Sequence, residues 1–311
     1  MTHRDTRRRV LATSGGIVTL ALAGCLGDGG GDGEMDGEGG MNGSDGMDGE
    51  GGMNESDGMD GDGGDGMDGD DEMDGGDGMA ESVTVRVRIE NVAPADFYPA
   101  DTSTDGAVWL TPGAYAVHSG ENPIYELGEA ASIGLEALAE AGPPTGFEGE
   151  DGLVDELDAS MAVDRSGAYT PENTVADPND PMGSVPGAPP IAPGGAVEFE
   201  TEVSPGHQLS FASMFVPSND VFVAADGEGI ALWPAGEEPV EGDVTDGVAL
   251  FDAGTEPNAE PPGRGPDQAP AQDSPDQGAD EDGVVRRLRD VDDGHEYPAV
   301  EDVVQVTVTP T

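Results

Sequence analysis

Leu209–Asp220 reads L-S-F-A-S-M-F-V-P-S-N-D. It is an apolar strand that stops at Pro217 and delivers a carboxylate, Asp220. Thirty-two residues on, a second apolar run, V-A-L-F, ends the same way, and Asp252 heads the loop D-A-G-T-E. Two strand ends that each hand an aspartate to a loop are the start of a cation site, provided that the loops meet.

Outward from this stretch the chain keeps the period of strands. Val83, Val85, Val87 and Ile89 alternate with Thr84, Arg86, Arg88 and Glu90, and Val304, Val306 and Val308 repeat the pattern at the far end. Such period-2 alternation marks half-buried strands. Further short strands are expected at Val108–Leu110, Ala114–Val117, the Glu-rich Val197–Val203, Ile230–Trp233 and Val248–Phe251. Pro/Gly-rich loops separate them, which predicts an all-β fold, an antiparallel β-sandwich. Helix is scarce: the Ala/Leu/Glu-rich stretch 128–141 predicts one short helix despite Gly134, and Leu153–Met161 a second. Residues 170–195 and 257–283 are expected to be long loops.

The chain holds 66 acidic and 11 basic residues, a net charge of −55, and every basic residue is arginine. Residues 81–311 alone carry 46 acidic residues and 7 Arg, a net of −39. Self-repulsion on that scale opposes a compact state at ordinary ionic strength. Molar salt shortens the Debye length to about 3 Å and screens it, so halophilic adaptation is the simplest explanation. The same balance argues against nucleic acid as a partner, because no basic patch exists to meet phosphate.

The N-terminus, T-R-R-R-V-L-A-T-S-G-G-I-V-T-L-A-L-A-G-C, has the layout of an export signal. A basic region precedes an apolar run too short to span a bilayer permanently. Arg7 and Arg8 sit in a twin-arginine pattern, which marks export of folded proteins. Leu22–Cys25 resembles a lipobox, and Cys25 is the sole cysteine, so it has no disulfide partner within the chain. The expectation is an exported protein anchored to the membrane through a lipid on Cys25, facing outward.

Residues 27–80 repeat Met-Asp-Gly units, with Met35, Met41, Met47, Met53 and Met59 six apart. The tract lacks β-branched and aromatic residues and holds 19 acidic and no basic ones. Nothing in it offsets an ordering entropy of about 1–2 kcal/mol per residue, so a disordered acidic tether is expected. Calcium binding by a nonapeptide β-helix repeat lacks its G-G-x-G-x-D pattern. Soft-metal binding by the methionines is a second, weaker reading. The division is then a signal over 1–25, a tether over 26–81 and a sandwich over 82–311.

Three separated motifs carry a family resemblance: T-P-G-A-Y-A-V-H-S-G-E-N-P-I-Y-E-L-G-E-A-A-S-I-G-L-E-A-L-A-E-A-G (111–142), S-P-G-H-Q-L-S-F-A-S-M-F-V-P-S-N-D (204–220) and F-D-A-G-T-E-P-N (251–258). Together they resemble the spondin N-terminal domain, its prokaryotic members in particular. The resemblance implies an eight-stranded C2-like sandwich with a divalent cation, usually Ca²⁺, near one edge. It implies ligands at Asp220, at Asp252 and at a glutamate before the L-S-F strand, for which Glu202 is preferred to Glu200. Asn219, Val221 and Glu256 depart from the family's proline, tryptophan and aspartate.

The chemistry agrees, since Ca²⁺ takes several oxygen ligands and Gly254 allows a tight loop over an ion. No nucleophile–base pair stands out: His118, His207 and His295 share no spacing, and Ser210 and Ser213 lie in a strand. The function expected is therefore non-enzymatic, a Ca²⁺-binding surface module for adhesion or for a glycan or protein ligand. The alternatives are a solute-binding lipoprotein or secreted hydrolase with a pocket rimmed by His118, and a passive acidic surface protein.

Overall fold

The computed structural model describes residues 81–147, 149–176, 191–274 and 277–311. The readings made on Arg7, Arg8, Cys25 and the Met-Asp-Gly tract fall outside the described residues, as does the middle of the Pro-rich loop, 177–190. Among the described residues, no helix is long and apolar enough to cross a membrane.

In chain order the elements are β1 (Val83–Asn91), β2 (Trp109–His118), α1 (Ile133–Ala141), α2 (Leu153–Ala159), β3 (Val163–Tyr169), β4 (Thr174–Ala176), β5 (Ala196–Val203), β6 (Gln208–Val216), β7 (Val221–Ala225), β8 (Ile230–Ala231), β9 (Gly242–Asp243), β10 (Val248–Asp252), β11 (Arg286–Arg287) and β12 (Val304–Pro310). They form two antiparallel sheets, an all-β sandwich. One has the order β4-β5-β1-β12-β9, the other β11-β10-β7-β6-β2-β3, with β8 also paired to β6.

The first sheet is the half-buried kind. Val85, Val87 and Ile89 of β1 and Val304, Val306 and Val308 of β12 face inward, and β1 and β12 pair directly, Val87 opposite Val308. On the outer face the glutamates of β5 meet arginines of β1 in register. Arg86 lies opposite Glu200 and bonds it at 2.8 Å, while Arg88 lies opposite Glu198 and bonds it at 3.0 Å. Cross-strand opposite charges are the sheet's counterpart of helical ion pairs.

The second sheet is covered on both faces. Leu209, Phe211 and Phe215 of β6 and Val221, Val223 and Ala225 of β7 enter the core between the sheets. Their neighbours Ala212, Phe222 and Ala224 join Leu135, Leu138, Leu153 and Leu157 in a second core beneath the helices. This is why Leu209–Val216 is apolar without alternation: every residue of it is buried. Alanines at 114, 116, 212 and 224 keep that outer face low, so the helices pack close.

The helices fix each other by close approach. Ser132 caps α1, its side chain accepting from the Leu135 amide. Glu156 of α2 accepts from Ser132 Oγ and, at 2.9 Å, from the Gly134 amide. A Cβ at Gly134 would lie 2.4 Å from the Leu153 backbone nitrogen. Gly134 is therefore the contact point of the two helices. Gly134→Ala, which in an exposed helix gains about 1 kcal/mol, is expected here to cost roughly 1–3 kcal/mol by overpacking. Urea unfolding of the two proteins checks the sign.

Arg86, Arg88, Arg165, Arg264, Arg286 and Arg287 are all paired with carboxylates. Exposed pairs contribute about 0–1 kcal/mol each, and most of the acidic residues have no arginine to meet. The melting temperature is thus expected to rise by several °C between low and molar KCl, roughly 2–4 °C per kcal/mol recovered. Calorimetry across a salt series reads it, and a flat or falling Tm would contradict the repulsion.

Candidate metal centre

The two aspartate loops meet. Asp220 closes the turn from β6 into β7, and Asp252 is the last residue of β10, which pairs with β7 so that Asp252 faces Val221. The Ala253 amide donates to the Asp220 carbonyl at 3.2 Å, tying one loop to the other. Ser218 shapes the turn, its Oγ donating to the Phe215 carbonyl and accepting from the Val221 amide at 3.2 Å. Asn219 reaches across, its side-chain amide donating to the carbonyls of Glu256 (3.1 Å) and Pro257 (3.2 Å).

The D-A-G-T-E loop folds tightly because two backbones touch. Gly254 has φ +69°, and a Cβ there would lie 2.5 Å from the Val284 nitrogen. A Cβ on Gly283 would in turn lie 2.5 Å from the Gly254 carbonyl oxygen. Only glycine fits at either place. The Gly283 amide donates to the Gly254 carbonyl at 2.9 Å and the Glu281 amide to the Thr255 carbonyl. Residues 281–287 are thereby zipped along the loop and into β11, with Arg286 opposite Asp252.

Three carboxylates are buried here: Asp220 and Asp252 with no exposure, and Glu256 with 1 %. Asp220 Oδ2 accepts from the amides of Thr255 (3.0 Å) and Glu256 (3.2 Å). Asp220 Oδ1 is buried and has no hydrogen-bond partner among the described residues, and neither has Asn258 Oδ1. Asp252 accepts from Arg286 Nε at 3.1 Å, and its other oxygen accepts from the Asn258 side-chain amide. The Glu256 carboxylate rests against the Cα of Gly278, where no side chain would fit.

Electrostatics follow from this crowding. Burial first, then the charges of Asp252 and Glu256, raise the Asp220 pKa to about 8 against the two backbone hydrogen bonds that lower it. Burial works against the charge on Arg286, but its bond to Asp252 and the charges of Asp252, Glu281 and Asp220 outweigh that and raise its pKa. Burial likewise pushes the Tyr297 phenol up, helped by the hydrogen bond it donates to Asp293 at 2.8 Å. His295 lies over the same loop, its Nε2 3.1 Å from the Asn258 carbonyl oxygen.

The expected third ligand does not join this group. Glu202 is exposed on β5, opposite Thr84, and pairs with Arg165 at 2.6 Å. Two turns of geometry exclude it. Glu202 precedes the turn into the start of β6, whereas Asp220 follows the end of β6, and nine residues of strand span about 30 Å. Glu200, the other choice, bonds Arg86 on the outer face of the same strand. The carboxylate that does stand beside Asp220 is Glu256, from the loop itself. Arg286 and Asn258 were also not singled out in the sequence; an Arg-Arg pair in so acidic a chain was the available signal.

His118 lies at no rim. It is fully buried, with Nε2 2.8 Å from Ser210 Oγ, and burial lowers its pKa. Ser210 is equally buried. A cleft of about 400 Å³ opens elsewhere, between β3 and β5, lined by Tyr115, Arg165, Ser166, Glu200 and Glu202. A smaller one of about 90 Å³ opens on Glu256 and Asn219, flanked by Glu260 and Asp267.

Neither a scan against protein-family models nor a search of the curated proteins returns a match for this chain. Among the described residues no group of three or more His, Cys, Asp and Glu side chains is already gathered as an ion-binding set. The donors near Asp220 are nonetheless all oxygens, two of them buried without partners, which suits a hard cation such as Ca²⁺.

Asp220→Asn keeps the shape and the acceptor oxygen for the Thr255 and Glu256 amides while removing the buried charge. Because the folded-state pKa lies above the ordinary value near 3.9, the stability tied to the Asp220 proton is full below about pH 4. It is lost as pH climbs toward 8. In chelator at pH 8, Asp220→Asn is therefore expected to be more stable than wild type, on the order of a few kcal/mol. The gain should vanish near pH 4. Thermal melts at the two pH values check both statements.

Proposed function

We propose that the protein is an exported, lipid-anchored surface protein whose sandwich holds a divalent cation, Ca²⁺ by its chemistry, at Asp220, Asp252 and Glu256. The single observation that carries this reading is the fully buried Asp220 with one carboxylate oxygen unpartnered and two further buried carboxylates beside it. An isolated buried carboxylate is costly. Two more acids around it deepen the cost, and Arg286 engages Asp252 rather than Asp220. A bound divalent ion supplies the missing charge.

The likeness of 111–142, 204–220 and 251–258 to the spondin N-terminal domain points the same way. The cation stiffens the loops at one end of the sandwich, where the turn after β6 and the loop after β10 come together. That end is the surface for adhesion, toward a cell-surface glycan or protein. The Arg7-Arg8 export pattern, Cys25 and the acidic tether suit a module displayed away from a membrane.

Calcium is expected to raise the Tm of the wild-type protein in molar KCl, with saturable dependence on its concentration. Asp220→Ala combined with Asp252→Ala should abolish the shift, and Glu202→Ala should leave it intact. A shift that survives the double substitution would place the ion elsewhere.

A further inference from the structure

Arg286 sits where a second cation would compete. Its guanidinium spans both oxygens of Asp252, Nε to one at 3.1 Å and Nη2 to the other at 3.4 Å. The same Nη2 is also 3.4 Å from Glu281 Oε1. The side chain keeps over a third of its surface exposed, so it closes the carboxylate cluster from the solvent side. Backbone register holds it there, since Arg286 lies directly opposite Asp252 in the β10–β11 pair.

A planar fork engaging both oxygens of a carboxylate occupies the positions from which that carboxylate binds an ion. Ca²⁺ commonly takes carboxylates through one or both oxygens at about 2.3–2.6 Å, so fork and ion cannot share Asp252 fully. Building on the cation reading, we infer that Arg286 is the resident counter-ion of the centre. It sets the affinity by competing with the metal ion for Asp252. Glu281 is the seat to which the guanidinium retires when the ion binds. Glu281 is held within reach because its amide is bonded to the Thr255 carbonyl of the same loop. The segment 281–287 thus carries both the competitor and its resting place. The arrangement places the affinity under the control of residues that do not themselves bind the ion.

The test is calcium titration of the full-length protein by calorimetry in molar KCl, comparing wild type with Arg286→Met and Glu281→Gln. Arg286→Met is expected to bind Ca²⁺ about ten- to a hundredfold more tightly and to melt lower than wild type in chelator. Glu281→Gln is expected to bind more weakly than wild type. Should Arg286→Met not fold, Arg286→Lys, which keeps a point charge without the fork, is expected to bind more tightly than wild type. In wild type, the Arg286 Nε–H resonance is expected to shift on adding Ca²⁺. Unchanged or weaker binding in the arginine variants, with wild-type binding intact, overturns the role given to Arg286 alone. No calcium binding in wild type and variants alike overturns the cation reading and this inference with it.

Discussion

One strand has to be dry on both sides, and the rest of the architecture answers to that requirement. With β6 central to its sheet and neither face open to water, one face needs a second sheet and the other needs the two helices. Each face makes its own demand on sequence. Toward the facing sheet, Leu209, Phe211 and Phe215 supply bulk, whereas toward the helices Ala212 supplies clearance. Several polar atoms caught in between have partners: Tyr169 bonds Ser213 and the Ala212 carbonyl, and His118 Nε2 bonds Ser210. A buried hydroxyl left unmatched costs about as much as a lost hydrogen bond, so these pairs are part of what makes the two-sided burial tolerable.

The same burial makes the carboxylates at the strand end unusual. Asp220 and Asp252 sit at the ends of largely buried strands, and neither has any exposed surface. A chain with so many acids on its surface also buries three of them side by side, with Arg286 set against Asp252. The acidic surface is diffuse and answers to salt. The buried cluster is local, and ions in bulk screen it far less.

The sandwich was legible where the period of the residues matched the faces they serve. Val83–Ile89 and Val304–Val308 alternate because one side of their sheet is wet, and both formed strands as read. V-F-V-A-A at Val221–Ala225 has no polar beat to mark it as a strand; its second face is hidden by helices that the local pattern does not announce. Val163–Tyr169 is hidden for the opposite reason, its D-R-S-G centre being polar in an edge strand. At the centre, the meeting of Asp220 and Asp252 was legible from matching strand–loop endings. The third carboxylate was not. Spacing along the chain favoured Glu202, but direction along β5 and β6 carries it to the far end, while Glu256 arrives with the loop itself. Arg286 could only be found once Gly254 and Gly283 had brought its segment against that loop.

The pairing of β1 with β12 has a consequence for how the chain comes into being. These two strands are the first and last of the sandwich, and they lie side by side in the middle of their sheet, with β5 beyond one and β9 beyond the other. Until residues near 310 leave the ribosome, β1 has one open edge and the sheet is split in two. Contacts of such long sequence separation form late, and an open apolar edge invites the wrong partner. Maturation of this domain is therefore an all-at-the-end event.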